Sequence, residues 1–358
     1  MALARLCCVS DVSPAFPWPV SSATGVGSMP GTDPAEAIAV VLGELPDLPH
    51  LPELPARGPG ADLTGRTAAM LVDFPVETAA GHWKASARPG RDQRRAKGLL
   101  LADLDAAQEA AGDWTGPFKV QVCGPWTLAA TIELSRSQNP VLADPGAVAD
   151  LIASLAEGVA AHVAEVRGRI PGANVLLQLD EPALPAVLAG SVPTASGLNR
   201  VGAIDTTVTR DGLHAVLDAA TSVGLVHCCA RDCPFKIIKD AGARAVGFDL
   251  SLLRPGGPEQ DELAEAVEAG LGVLAGVLDT NFSERPDSSR PGQPRDIVAR
   301  VTELWHRMGI PAAGMERQVV LTPACGLAGA SPAGARAALA RCREAARMLP
   351  ELIEESSA

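Results

Sequence analysis

Short apolar segments alternate with longer amphipathic stretches along most of this chain. Nearly every apolar segment is followed by a stretch with helical periodicity, and the Pro-rich segment at 48–54 fits the strand pattern least well. Continuous apolar strands separated by helices predict a parallel sheet whose outer face is covered by helices. The eight predicted strands lie at 23–28, 48–54, 118–122, 174–180, 224–226, 245–250, 271–278 and 318–322.

Eight such strand–helix units most simply close into a (β/α)8 TIM barrel, which the chain's 358 residues can form as a single domain. The alternative is an open, doubly wound sheet. We expect the barrel to span residues 23–350, between a flexible N-terminal tail at 1–22 and a C-terminal tail at 351–358.

Polar side chains follow many of the predicted strands at or just beyond their C-terminal ends. In a barrel these ends converge on one mouth, where the active sites of this fold lie. Residues that are far apart in sequence therefore become candidate neighbours. They are Ser28, Glu53, Asp180, His227, Cys229, Asp249, Asp279 and Cys325.

The segment GLVHCCARDCPF at 224–235 carries the most specific chemistry. Side chains alternate faces along a strand, so His227 and Cys229 point the same way and form half of a zinc site. Cys325 is the expected third ligand, and Asp249 is a candidate for the fourth. One alternative is a core histidine beside a buried thiol. Another is that Cys228 replaces Cys229, which requires the strand to shift by one residue.

Charge and cysteine usage narrow the class of protein. The chain has 42 acidic and 30 basic residues, a formal net charge of −12, so nucleic acid and anionic membranes are poor partners. Eight cysteines without a framework of spaced pairs favour a reduced, cytoplasmic setting. We do not expect the N-terminal residues to act as a signal peptide, and no apolar run is expected to be long enough to span a bilayer.

Six motifs, in this order, resemble the C-terminal catalytic barrel of cobalamin-independent methionine synthases. CGPWTLA also looks like a segment of the related uroporphyrinogen decarboxylases, which lack the His-Cys…Cys set. The six motifs are GVGSMPGT (25–32), CGPWTLA (123–129), QLDEPAL (178–184), VHCC (226–229), GVLDTNF (276–282) and TPACGL (322–327).

The resemblance implies a Zn²⁺ ion bound by His227, Cys229 and Cys325, with Asp249 where the family has a glutamate ligand. It also implies site roles for other residues. Ser28 would receive the carboxylate of an amino-acid substrate, and Glu53 and Asp180 would receive its ammonium group. The predicted catalytic carboxylates are Asp180 and Asp279. Trp126 either stacks against a flat substrate or packs beneath the pocket, and Glu181 is expected to cap the helix that follows it.

These features predict a zinc-dependent methyltransferase that moves a methyl group to a thiol, most simply homocysteine, to give methionine. The family has a second, N-terminal barrel, for which this chain has no room, and a histidine where this chain has Asn281. The methyl donor is therefore predicted to be 5-methyltetrahydrofolate or a methyl-corrinoid protein. Two alternatives are a zinc-thiol alkyltransferase of the coenzyme M type and a non-catalytic barrel with structural zinc or none.

Overall fold

In the computed structural model, residues 16–280 and 292–357 are described. Their main feature is a six-stranded parallel sheet in which consecutive strands are neighbours, in the order β3-β4-β5-β6-β7-β8. A separate antiparallel hairpin, β1-β2, lies in the part of the sequence where no strand is predicted. The strands are β1 (Val76–Ala79), β2 (His82–Ala85), β3 (Gly116–Cys123), β4 (Ala173–Asp180), β5 (Val223–Cys228), β6 (Ala245–Asp249), β7 (Gly272–Leu278) and β8 (Val319–Pro323).

Helices follow the six strands of the parallel sheet, as the alternating pattern predicts. Short 3-10 helices cover Pro55–Arg57, Val141–Ala143 and Leu250–Leu252. The α-helices are α1 (Pro34–Glu44), α2 (Leu63–Ala68), α3 (Arg91–Ala111), α4 (Pro125–Thr131), α5 (Pro145–Arg169), α6 (Leu184–Leu188), α7 (Thr206–Ala219), α8 (Phe235–Asp240), α9 (Pro258–Glu268), α10 (Pro294–Met308), α11 (Met315–Gln318) and α12 (Pro332–Ser357).

Two extended segments lie between the outer strands of the sheet, where the sequence predicts strands at 23–28 and 48–54. They form isolated parallel bridges instead of continuous strands. Ala23 pairs with Leu321 of β8, and Ser28 pairs with Glu53. A third bridge joins residue 50 to Lys119 of β3. The strand prediction is confirmed for the six later strands, and is wrong in length for the first two.

Side chains of β3 and β4 explain why these segments lack a continuous ladder. The carbonyl oxygen of Val26 accepts hydrogen bonds from Lys119 Nζ at 2.8 Å and Gln178 Nε2 at 2.9 Å. The carbonyl oxygen of Leu51 accepts one from Gln121 Nε2 at 2.5 Å. Buried backbone carbonyls need partners, and here polar side chains supply them.

A separate apolar cluster lies on the inner face of the sheet, one or two residues before the polar positions. Trp18 belongs to it, is only 6% exposed, and donates its indole N–H to the Arg317 carbonyl at 3.0 Å. The described part of the predicted N-terminal tail is therefore packed, because Trp18 covers the inner cluster. The cluster's buried members are Trp18, Leu48, Leu176, Leu225, Ala245, Leu274 and Val320.

The C-terminal boundary also differs from the sequence prediction. Helix α12 continues through Pro350 to Ser357, so residues 351–357 do not form a separate tail. Leu349 and Ile353 are buried against the helix-facing core on either side of Pro350. This i, i+4 pair extends the apolar stripe of the helix past the proline.

Helix α5 is long and apolar enough to cross a membrane by length and mean hydropathy alone. The core helix of a globular fold meets the same criterion, so this finding does not overturn the expectation that no apolar run spans a bilayer. One face of α5, including Leu151, Leu155 and Val159, is buried within the helix-facing core. Because α5 packs against α7 and β4, its apolar face is already covered by protein.

Glu181 caps α4, which follows the neighbouring strand β3, and not the helix that comes after Glu181 in sequence. Its two carboxylate oxygens accept the backbone N–H groups of Trp126 and Thr127, each at 2.8 Å, and the Thr127 hydroxyl at 2.7 Å. Burial raises the pKa of the Glu181 carboxyl to about 7, although these hydrogen bonds lower it. The carboxylate thus ties the end of β4 to the start of α4.

We expect Glu181→Gln to destabilise the fold. The substitution replaces one accepting oxygen with an NH2 group and leaves buried donors of α4 without an acceptor. The free energy of unfolding should fall by about 2–3 kcal/mol in urea denaturation at pH 8. The matched control is Glu157→Gln on the exposed face of α5. Equal unfolding midpoints for the two variants would contradict the capping role.

Candidate metal centre

Three side chains that can bind a metal meet at the C-terminal ends of β5 and β8. His227 lies in β5, and Cys229 is the first residue after the end of that strand. Cys325 lies two residues beyond the end of β8. One donor atom of each lies within 4.8 Å of the others, and the two sulfurs are 3.5 Å apart. Strands β6 and β7 separate β5 from β8 in the sheet. The sheet must therefore curl strongly to bring Cys325 to Cys229.

The donor set fits a zinc ion. Two thiolates bound at about 2.3 Å in a tetrahedron lie about 3.8 Å apart, close to the separation of these two sulfurs. His227 Nε2 is buried and has no hydrogen-bond partner among the described residues. A buried ring nitrogen without a partner is unfavourable unless something binds it. Nitrogen with two sulfurs is a common ligand set for zinc in proteins.

The two thiols share a hydrogen bond that sets their charge. The bond from Cys229 lowers the pKa of Cys325 to about 4, opposed by burial and assisted by His227. The same bond, together with burial, raises the pKa of Cys229. Cys325 is therefore the more acidic of the two thiols, and metal binding requires both to be deprotonated.

The orientation of β5 is the one that the sequence pattern predicts. Cys228 is fully buried in the helix-facing core, whereas Cys229 and Cys325 are partly exposed. The strand is therefore not shifted by one residue. The neighbouring position on β6 is Gly247, where a Cβ atom would lie 2.9 Å from His227 Nδ1. Glycine at this position leaves room for the imidazole ring.

Ser28 lies against the loop that carries Cys325. The Ser28 carbonyl accepts the backbone N–H of Leu327 at 2.8 Å, and a Cβ atom at Gly326 would overlap Ser28 Oγ. Glycine at 326 thus allows the first extended segment to approach the metal-binding loop. The predicted neighbours Ser28 and Cys325 are brought together.

Asp180 is the acidic residue placed next to the metal-binding side chains. It is the Cα partner of His227 across β4 and β5, and it is only 6% exposed. Its Oδ1 accepts a hydrogen bond from Gln178 Nε2 at 2.7 Å. Burial, followed by the charge of Glu53, holds the pKa of Asp180 well above its usual range, and Lys119 opposes this shift.

Glu53 is the second buried acid. Burial raises its pKa, while the charge of Arg66 lowers it, and Arg66 Nε lies 3.9 Å from Glu53 Oε1. Arg66 also pairs with Asp103, which in turn pairs with Arg57 at 2.7 Å. Within the described ranges, Glu53 Oε1 is buried and has no hydrogen-bond partner, and its nearest cation is Arg66.

The sequence analysis did not identify Arg66, Lys119 or Gln178 as parts of this site. Lys119 is fully buried, and its only sequence signal is a charged residue at an inward-facing position of an otherwise apolar strand. Burial lowers the pKa of Lys119 to about 8, although the charges of Asp180 and Glu53 raise it. Arg66 gives no such signal, because its acidic partners are distant in sequence.

Other predicted residues lie outside the cluster. The Asp249 carboxylate is not among the three grouped donors; it accepts the backbone N–H of Ser251 at 2.8 Å, because the chain turns directly into a 3-10 helix. Trp126 is fully buried and donates its indole N–H to the Thr209 carbonyl at 2.9 Å, which places it in packing and not in a pocket. Asp279 is exposed just after β7. Asn281 lies outside the described residues.

A surface cleft of about 530 Å³ lies elsewhere, among the first turns of α7, α8 and α9. Its lining includes Cys233 but none of the three candidate ligands and neither Glu53 nor Asp180. Its charged groups include Arg210 and Lys236, which pair with neighbouring aspartates. The cleft and the metal centre are thus different places on the molecule.

The family to which this chain is similar is consistent with the candidate metal ligands. The model of the catalytic domain of cobalamin-independent synthases matches residues 130–348, which is more than half of the chain. This chain belongs to that family. The predicted resemblance is confirmed. The matched region contains all three candidate metal ligands of this chain.

One solved structure shares the fold of this chain, and a second has a lower similarity. A B12-independent methionine synthase from Shewanella sp. W3-18-1, in complex with selenomethionine, is 12% identical with a TM-score of 0.63, covering 94% of this chain and 100% of that chain. A GH5_18 protein from Streptomyces cattleya, in complex with GlcNAc, is 13% identical with a TM-score of 0.42, covering 92% and 81%. No curated protein matches this chain in sequence.

We expect the purified protein to bind about one zinc ion per chain. Cys229→Ala and Cys325→Ser should each lower zinc affinity by at least about tenfold, since each removes a thiolate ligand. The measurement is metal analysis after dialysis against a competing chelator. Cys228→Ala is the matched control, because that thiol faces the helix side and should leave zinc binding intact. Zinc loss in Cys228→Ala with retention in Cys229→Ala would reverse the ligand assignment.

Proposed function

We propose that this protein is a zinc-dependent methyltransferase that moves a methyl group to a thiol, most simply homocysteine, to give methionine. The observation that carries the proposal is the convergence of His227, Cys229 and Cys325 beside the buried acid Asp180. Three protein ligands are typical of a catalytic zinc, which keeps one coordination position for a substrate. Membership of the cobalamin-independent synthase family supports the same reaction.

Bound zinc would stabilise the substrate sulfur as a thiolate. The residues of the chain then fix where that sulfur lies. Asp180 and Glu53 are acceptors for an ammonium group, and Ser28, at the loop of Cys325, is placed for the substrate carboxylate. The sulfur attacks the methyl carbon in line, and the electron pair of the broken bond leaves with the donor. Such orientation can lower a barrier by roughly 7 kcal/mol or more.

The complete fold that we propose is a closed (β/α)8 barrel in one domain. Two isolated bridges link the extended segments at 23 and 50 to β8 and β3, and a third joins these segments to each other. Each of the eight predicted strand positions is therefore paired with its neighbours, by a strand ladder or by an isolated bridge. Because Trp18 packs inside and α12 reaches Ser357, we place the domain over residues 16–357.

The family favours a folate-type donor, because its members are cobalamin-independent synthases. We therefore propose 5-methyltetrahydrofolate as the donor in preference to a methyl-corrinoid protein. Six cysteines in the described part of the chain are free thiols, which supports a reduced, cytoplasmic location. The roles of Asp279 in catalysis and of Asp249 as a fourth ligand stay predictions.

The alternatives fit the site less well. A sulfonate thiol of the coenzyme M type needs a free cation, but the Lys119 ammonium donates to the Val26 carbonyl and Arg66 pairs with Asp103. A structural zinc site is closed by a fourth protein ligand. In the described ranges, the grouped donors number three, and the Asp249 carboxylate caps a turn instead.

The direct test is methionine formation. Zinc-loaded protein is incubated with homocysteine and either 5-methyltetrahydrofolate or methylcobalamin, and methionine is measured by mass spectrometry. We expect product with the folate and none above background with the corrinoid. Product only from methylcobalamin would replace the proposed donor, and no product from either donor would count against the reaction.

Asp180→Asn should weaken recognition of the substrate ammonium group. The variant keeps the Oδ1 that accepts from Gln178 but loses the negative charge. We expect KM for homocysteine to rise by about tenfold or more, equivalent to about 1.4 kcal/mol, while KM for 4-mercaptobutanoate, which lacks the amine, changes little. Asp150→Asn on the exposed face of α5 is the control. Equal increases in KM for both thiols would reject ammonium binding.

A further inference from the structure

One buried amide joins two parts of the proposed substrate site. The Gln178 side chain is 1% exposed. Its Nε2 group donates to the Val26 carbonyl at 2.9 Å and to Asp180 Oδ1 at 2.7 Å, and an amide NH2 has two hydrogens for two such bonds. Val26 lies two residues before Ser28. The amide thus connects the segment that carries Ser28 to the Asp180 carboxylate.

Side-chain contacts complete the pairing of the Ser28 segment. Its β-bridges in the described residues lie at Ala23 and Ser28, with backbone hydrogen bonds to Leu321, Glu53 and Leu327. Between these bridges, the Val26 carbonyl accepts hydrogen bonds from Gln178 and from Lys119 Nζ at 2.8 Å. Buried carbonyls need such partners, and two donors on one carbonyl hold this part of the segment in place.

Lys119 and Gln178 differ in the other hydrogen bonds that they make besides the one to the Val26 carbonyl. Lys119 Nζ bonds to Val26 and lies 3.4 Å from Gln121 Oε1, so its hydrogen bonds hold the segment. Gln178 bonds to Val26 and to Asp180 with the same nitrogen. Among the hydrogen bonds of the described residues, those of the Gln178 amide join the Ser28 segment directly to the Asp180 carboxylate.

We propose that Gln178 is a positioning residue that sets the spacing between the carboxylate-binding and ammonium-binding ends of the thiol site. Lys119 holds the carboxylate-binding end by a hydrogen bond and acts on Asp180 only through its charge. This inference rests on the proposed function, because it takes Ser28 and Asp180 as the two recognition points of an amino-acid thiol. A site with fixed spacing discriminates an amino-acid thiol from thiols that lack either charged group.

The test compares three thiols. Homocysteine carries both charged groups, 4-mercaptobutanoate lacks the amine, and 3-mercaptopropylamine lacks the carboxylate. Gln178→Met has similar volume and no donors. We expect it to reduce the preference for homocysteine over each analogue, measured as the ratio of kcat/KM values, by about tenfold.

Leu179→Met is the matched control, since its buried side chain lies on the same strand but in the helix-facing core. It should leave both preferences unchanged. Zinc content and thermal unfolding are measured for every variant. If Gln178→Met does not fold, Gln178→Glu serves as the second variant, because its carboxylate has the same shape and lacks N–H donors. An equal loss of kcat/KM for all three thiols would mean that Gln178 is only structural.

Calorimetric binding of the same thiols to zinc-loaded protein separates this inference from the proposed reaction. Wild-type protein that prefers homocysteine but forms no methionine would reject the methyl transfer while keeping the role of Gln178. Wild-type protein that binds homocysteine no more tightly than its analogues would overturn the positioning role, even if methyl transfer occurs.

Discussion

The curl of the parallel sheet is the constraint on which the site depends. It brings Cys325 to 3.5 Å from Cys229, although 96 positions and two intervening strands separate them. Small residues make this approach feasible, because Gly247 leaves space for the His227 ring and Gly326 lies against Ser28. A flatter sheet would have the same secondary structure and no metal-binding cluster. Tertiary curvature, and not any single motif, assembles the three donors.

The inner face of the sheet changes from apolar to polar toward the site. Leu176, Gln178 and Asp180 follow one another at every second position of β4 and represent an apolar layer, a hydrogen-bonding layer and a charged layer. The middle layer replaces part of the backbone ladder, because its side chains bind carbonyls of the irregular first segments. The same side chains that complete the fold thus position the groups proposed to bind substrate.

Sequence patterns are enough to predict what depends on local periodicity. Alternation along β5 predicts that His227 and Cys229 share a face, and the strand-end rule predicts their approach to Cys325. Contacts made by distant partners are not accessible in this way. Trp18 joins an apolar cluster with residues of five strands although it lies outside the predicted barrel, and its own sequence neighbours do not predict this. Asp249 instead caps a 3-10 helix that starts at the next residue, a local turn that the strand pattern does not predict.

The charges around Asp180 indicate what kind of substrate suits the site. The buried acids here are Glu53, Asp103, Asp180 and Glu181, and the buried or nearly buried bases are Arg57, Arg66 and Lys119. The carboxylates therefore outnumber these cations by one. Burying a further net charge is costly, whereas a zwitterion adds none. The amino-acid thiol of the proposed function would add no net charge, and its ammonium group would lie near Glu53 and Asp180. A thiol bearing only a sulfonate would add an anion beside buried carboxylates, so the charge distribution supports the proposed amino-acid substrate.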